Sequence, residues 1–132
     1  MRVPKLNVRL LRRILRHIKA DPRRYNQGTW GVEKPAEHGG PPCGTQACIA
    51  GWAVLLSVPR RNWLRWISRS DEEMKNGEKS CIRARAKKLL GLTEEEAQYL
   101  FGVMEYEHEQ GIEGVACAEK NINKLIGSRR KR

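Results

Sequence analysis

Thr45-Gln46-Ala47-Cys48-Ile49-Ala50-Gly51-Trp52-Ala53-Val54-Leu55-Leu56-Ser57 is the stretch on which the fold turns. Thr45 has the hydroxyl of a helix N-cap, and from Gln46 to about Ser57 the residues are apolar on nearly every side. A helix without a polar face has to be wrapped by its neighbours. This segment is therefore expected to be the central buried helix, closed by Pro59, whose ring cannot continue it.

The flanking sequence supplies the wrapping. Upstream, residues 7–20 read as an amphipathic helix: Leu11, Ile14, Leu15 and Ile18 recur at helical spacing, Val8 and Leu10 extend the stripe, and Arg9, Arg12, Arg13, Arg16 and Lys19 cover the other side. Asp21-Pro22 stops it. Residues 22–44 read as a long ordered loop punctuated by Gly28, Gly31, Pro35, Gly39, Gly40, Pro41 and Pro42, with Trp30 as a packing anchor; a loop of this length in a compact domain is often functional. Downstream, residues 60–69 form a short amphipathic turn with Trp63, Trp66 and Ile67 opposite Arg60, Arg61, Arg65 and Arg69. Ile82, Ala86, Leu89 and Leu90 predict a helix over 80–90, with Gly91 as its left-handed terminator. Thr93 and Glu96 form a capping box that opens a helix burying Ala97, Leu100 and Phe101. A last helix over 112–126 carries Ile112, Val115, Ala116, Ile122, Leu125 and Ile126. No stretch alternates clearly enough to predict a strand. The expected fold is all-α: a compact single-domain bundle of five or six short helices over residues 1–127, with a long ordered loop before the central helix and a basic tail over 128–132.

Charge is segregated along the 132 residues. The net charge is +11, yet residues 1–30 hold nine Lys/Arg against one acid, residues 60–88 are again basic, residues 89–120 are acidic at −7, and the chain ends Ser128-Arg129-Arg130-Lys131-Arg132. Segregated blocks predict faces, and basic faces attract polyanions. Arginines interrupt every apolar run near the N-terminus, and residues 47–58 fall short of the roughly 20 a membrane span needs. With four irregularly spaced cysteines there is no disulfide framework. The expectation is a cytoplasmic protein without membrane contact.

The string Cys43-Gly44-Thr45-Gln46-Ala47-Cys48-Ile49-Ala50-Gly51-Trp52-Ala53 resembles a Cys-Gly-Thr-x-x-Cys-apolar-Ala-Gly-Trp signature of small bacterial and phage proteins of unknown function. The likeness extends to the basic N-terminal helix, to a segment like Asp21–Trp30 and to one like Ala86–Phe101, and so covers most of residues 8–126. The arginine-rich residues 60–69 and the terminal basic run depart from that pattern. The resemblance implies a fold and an association with mobile elements. It implies no activity.

Other chemistries are incomplete. Cys43, placed just ahead of the expected helix, would have its thiolate favoured by the helix dipole, but a nucleophile needs a base and no motif ties His17, His38 or His108 to it. Cys43, Cys48, Cys81, Cys117 and His38 offer zinc donors, yet the Cys-x4-Cys gap lacks a second close pair. The helix–Gly91–helix segment suggests a DNA-reading helix-turn-helix, but Glu94, Glu95 and Glu96 would meet the phosphates and Lys87 stands where a small residue is usual. What remains are the cationic blocks: Arg9, Arg12, Arg13 and Arg16; Arg60, Arg61, Trp63, Arg65, Trp66 and Arg69; and Arg129, Arg130, Lys131 and Arg132. Guanidinium groups interleaved with indoles can follow a phosphate backbone and stack bases. The sequence thus points to a non-enzymatic binding protein, without cofactor, metal or small-molecule substrate, that engages nucleic acid non-specifically or a nucleoprotein complex. The alternatives are a module docking on an acidic protein surface and a Cys43-centred zinc or thiol protein.

Overall fold

The computed structural model describes residues 4–27, 32–34, 44–63, 65–67, 81–102, 106, 108 and 110–130. The fold is all-α. Among the described residues it comprises α1 (Val8–Ala20), α2 (Ile49–Leu55), α3 (Cys81–Leu90), α4 (Glu94–Phe101) and α5 (Gly111–Arg130), with 3-10 turns at Pro22–Arg24 and Arg60–Asn62 and further helical residues at 63 and 65–67. Every residue of α2 is buried. Around it α1 contributes Leu10, Leu11, Ile14 and Ile18, α3 contributes Ile82, Ala86 and Leu90, and α4 and α5 add Leu100, Phe101, Ile122 and Leu125 to one contiguous core. α2 packs most broadly on α3, and α1 lies against both α2 and α5. α1 and α5 run antiparallel, since Lys19 pairs with Glu119 at one end while Arg129 reaches the Pro4 carbonyl at the other.

A two-stranded ribbon joins the expected loop to the expected start of the central helix. β1 (Val32–Lys34) pairs antiparallel with β2 (Gly44–Gln46) in the register Val32↔Gln46, Glu33↔Thr45 and Lys34↔Gly44. Three-residue strands are too short for alternation to be seen in sequence. The ribbon also corrects the start of the central helix. Thr45 is not its N-cap: the pairing with β1, continued by the Ala47 N–H to Arg24 carbonyl bond of 2.9 Å and the Asn26 N–H to Ala47 carbonyl bond of 3.1 Å, keeps the backbone extended through Ala47. The cap is Cys48, whose Sγ accepts from the Gly51 N–H at 3.4 Å.

Gln27 fastens this region to the core. Its Oε1 accepts from the Tyr25 hydroxyl at 2.7 Å and the Ile49 N–H at 3.4 Å, while its Nε2 donates to the Leu100 and Phe101 carbonyls at 3.0 and 3.1 Å. A buried amide with four partners has no unmet desolvation cost, and it joins the chain before β1 to the start of α2 and the end of α4.

The α3–α4 corner follows its sequence signals. Gly91 has φ +70, with Leu92 N–H donating to the Lys87 carbonyl at 3.0 Å and Gly91 N–H to Lys88 at 3.3 Å, the paired bonds of a Schellman motif. Thr93 and Glu96 form the reciprocal capping box. Glu94 sits between Arg83 and Lys87 at 2.7 and 2.8 Å, so the lysine at the small-residue position clamps the helix pair electrostatically. Those two cations hold the exposed Glu94 carboxyl down to about 2.

The C-terminal block is not a free tail as far as Arg130, because α5 runs through it. Arg129 is folded into the structure: Nε and Nη2 grip the Glu96 carboxylate at 2.6 and 2.7 Å, Nη2 also donates to the Gly91 carbonyl at 2.7 Å, and Nη1 donates to Pro4 at 2.6 Å. Both side chains are nearly covered, at 13% and 11% exposure. The ion pair lowers the Glu96 pKa and raises that of Arg129.

Candidate functional site

α1 carries its cations on one band. At 100° per residue, Lys19, Arg12, Arg16, Arg9 and Arg13 follow one another across roughly a third of the helix circumference, opposite Leu11, Ile14 and Ile18. The five basic side chains are exposed. Lys19 is paired with Glu119 at 2.6 Å, whereas Arg9, Arg12 and Arg16 have no ion pair with any described residue.

Two different environments border this band. On the α5 side lies an open groove of about 710 Å³. Half-buried Val8 and Leu15 form its base, Arg9, Arg12, Arg16 and Lys19 its rim, and Asn123 of α5 faces them. Val8, Arg12, Leu15 and Lys19 follow one another at spacings of four, three and four residues, so apolar and cationic groups alternate along a single line of α1.

On the α2 side, three guanidinium groups from three elements gather around His17. Arg13 donates to the Leu56 carbonyl at 3.0 Å, capping the C-terminal end of α2. Arg24 donates to the His17 carbonyl at 3.3 Å in the last turn of α1. Arg60 stands 5.4 Å over the Trp63 ring. The imidazole meets Trp52 edge-on at 4.3 Å between centroids, and Trp63 completes the aromatic cluster, 5.5 Å from Trp52. Burial is the main cause, and Arg24, Arg13 and Arg60 the further ones, that lower the His17 pKa from 6.5 to about 4. His17 Nε2 is buried with no hydrogen-bond partner among the described residues. Arg13 of the first cationic block and Arg60 of the second thus both act on His17.

The indoles are placed for packing. Trp63 donates to the Leu55 carbonyl at 2.8 Å and is half-buried between Trp52 and Arg60. Trp66 is half-buried with Arg85 5.5 Å above its ring. Both belong to the margin of the core, which leaves the guanidinium groups rather than the rings as the exposed chemistry. Arg61 and Arg65 are exposed; Arg69, Lys131 and Arg132 lie outside the described residues. Arg130 is exposed at the end of α5, on the N-terminal side of α1. Arg129 faces inward, and its place was legible: Ile122, Leu125, Ile126 and Arg129 continue one buried stripe at helical spacing.

Cys48 is wholly buried at the α2 cap, and desolvation lifts its thiol to about 11, the reverse of an activated nucleophile. Cys43 and His38 lie outside the described residues. The helix expected to follow Cys43 directly begins only at Ile49, with β2 (Gly44–Gln46) ahead of it. Among the described residues no three His, Cys, Asp or Glu side chains are grouped closely enough to hold a metal ion, and no helix is long and apolar enough to cross a membrane.

Fold and site together define a small all-α protein with an arginine-rich helix face and an adjoining cation-rimmed groove. Comparison with family models, with curated proteins and with solved structures finds no match for this chain.

Proposed function

We propose that the protein is a non-enzymatic binding protein, phage- or mobile-element-associated in setting, that holds nucleic acid without sequence preference, alone or within a nucleoprotein complex, through the α1 face and the neighbouring Arg60–Arg65 region. The observation that carries this reading is the row of Arg9, Arg12 and Arg16 on α1, which have no ion pair with any described residue. Arg9 and Arg13, and Arg12 and Arg16, are like charges at i,i+4, an arrangement that destabilises an isolated helix by about 0.2–0.5 kcal/mol per pair. The first turn has no acid to complement the helix dipole. A face that merely needed solubility could mix signs at no such cost; a face that meets phosphates could not.

The test is an equilibrium titration of the full chain with random-sequence DNA and RNA. Binding is expected near 50 mM salt with weak dependence on sequence, and the logarithm of the association constant should fall linearly with the logarithm of salt concentration. Glutamate at Arg9, Arg12 and Arg16 together should remove it. No affinity for either polymer at low salt would end this reading.

A further inference from the structure

We infer that the groove between α1 and α5 takes a single nucleic-acid strand rather than a duplex, an inference that rests on the reading above and narrows it. The groove is open, about 710 Å³ in volume and lined by α1 with Asn123 of α5, and from Val8 to Lys19 its wall runs about 16 Å along α1. That is room for a few nucleotides of one strand. A duplex turns its bases inward and is too wide to enter a furrow between two packed helices, whose axes lie about 8–10 Å apart; it would touch the rim and leave the base uncovered.

The lining suits a strand with its bases turned in. Phosphates along the rim meet Arg9, Arg12 and Arg16, with Lys19 held at the far end by Glu119. Base faces are apolar enough to rest on Val8 and Leu15, and the exposed Asn123 amide offers both a donor and an acceptor to a base edge. Among the described residues the groove lining has no aromatic platform of the kind that gives strong stacking, so the strand is held chiefly by charge and discriminates little among bases. An acidic amphipathic helix is the competing occupant. Such helices dock through three or four apolar anchors at helical spacing, and this groove presents two apolar residues beneath four cations.

The experiment is fluorescence anisotropy of the full chain with a labelled oligothymidylate of about 20 nucleotides, a mixed-sequence duplex of equal length, and polyglutamate, at about 50 and 200 mM salt. The single strand is expected to bind at least about tenfold more tightly than the duplex at the same salt. Arg12→Gln with Arg16→Gln should weaken single-strand binding at least about tenfold, while Lys88→Gln with Lys124→Gln, two exposed cations outside the groove lining, changes it less than about threefold, with circular dichroism confirming that each variant is folded. Duplex binding equal to or tighter than the single strand, or equal losses from both variant pairs, overturns the groove assignment while nucleic-acid binding itself stands. Absence of binding to both oligonucleotides overturns both, and polyglutamate binding in that case assigns the groove to an acidic protein.

Discussion

Removing the Arg129 side chain leaves Glu96, at 11% exposure, as an uncompensated carboxylate, and strips donors from the Gly91 and Pro4 carbonyls. Breaking a buried pair from one side typically costs about 3–5 kcal/mol, and with both partners retaining slight exposure the expected loss for Arg129→Ala is about 2–4 kcal/mol in urea denaturation. Arg129→Lys should recover less than half of it, because an ammonium cannot span a carboxylate and two carbonyls at once. A loss below about 1 kcal/mol for the alanine variant would contradict the assignment of this residue to the core rather than to a tail. His17 supplies a second residue-scale prediction. Its pKa falls from 6.5 in the unfolded chain to about 4 in the fold, so as pH drops the unfolded state takes up the proton first. Stability is therefore full above pH 6.5 and declines as pH falls toward about 4. Solvent screening of a half-exposed ring reduces the expected loss to about 1–2 kcal/mol. His17→Phe keeps a ring against Trp52, removes the unpartnered Nε2 and should flatten the stability profile in that interval. A decline of the same size in the variant would place its origin in the carboxylates.

At the scale of elements, the α3–α4 corner depends on glycine at 91 for two independent reasons. Its φ of +70 is costly for any side chain, and a Cβ there would come within 2.0 Å of the Lys5 carbonyl oxygen, a backbone atom that cannot swing aside. The N-terminal segment lies on this corner through the Asn7 N–H to Leu90 carbonyl bond of 2.8 Å. Gly91→Ala should cost about 2–4 kcal/mol, combining the left-handed strain with displacement of that segment, and a thermal melt within about 2 °C of wild type would contradict it. The corner was also where sequence signals were strongest: Gly91, Thr93 and Glu96 are local devices whose geometry is set within a few residues, so they read correctly without knowledge of partners. Thr45 looked equally good as a cap and was not one, because the strand pairing that overrides it comes from Val32–Lys34, a dozen residues earlier. Arg129 is the same lesson in reverse. Its neighbours Ser128, Arg130 and Lys131 read as a solvated tail, and only continuation of the α5 stripe, with Glu96 at a sequence distance of 33, shows the residue to be internal. The groove was legible only by half: the α1 cations and their spacing are in the sequence, but Asn123 and the wall it forms depend on how α5 packs.

For the whole molecule, the open issue is whether the α1 cations are passengers of a net charge of +11 or a maintained feature, and stability and binding answer it together. A chain with excess positive charge is destabilised by self-repulsion, and the effect is largest where like charges are neighbours on one helix. Neutralising Arg9, Arg12 and Arg16 with glutamine removes three cations that have no ion pair with a described residue. It should stabilise the fold by about 0.5–1 kcal/mol at low salt. The gain should shrink as salt rises, since the Debye length contracts to about 8 Å at physiological ionic strength and screens the same repulsion in the wild type. Melting temperatures of the two proteins, measured across salt concentrations, should therefore converge. The same variant should lose nucleic-acid binding. Opposite signs for stability and binding are the mark of side chains kept against the interest of the fold, as local rules are broken where function requires it. If the variant is instead less stable than the wild type at low salt, the α1 arginines contribute to folding through contacts of their own, as Arg13 does at the end of α2, and their density on this helix needs no partner to explain it.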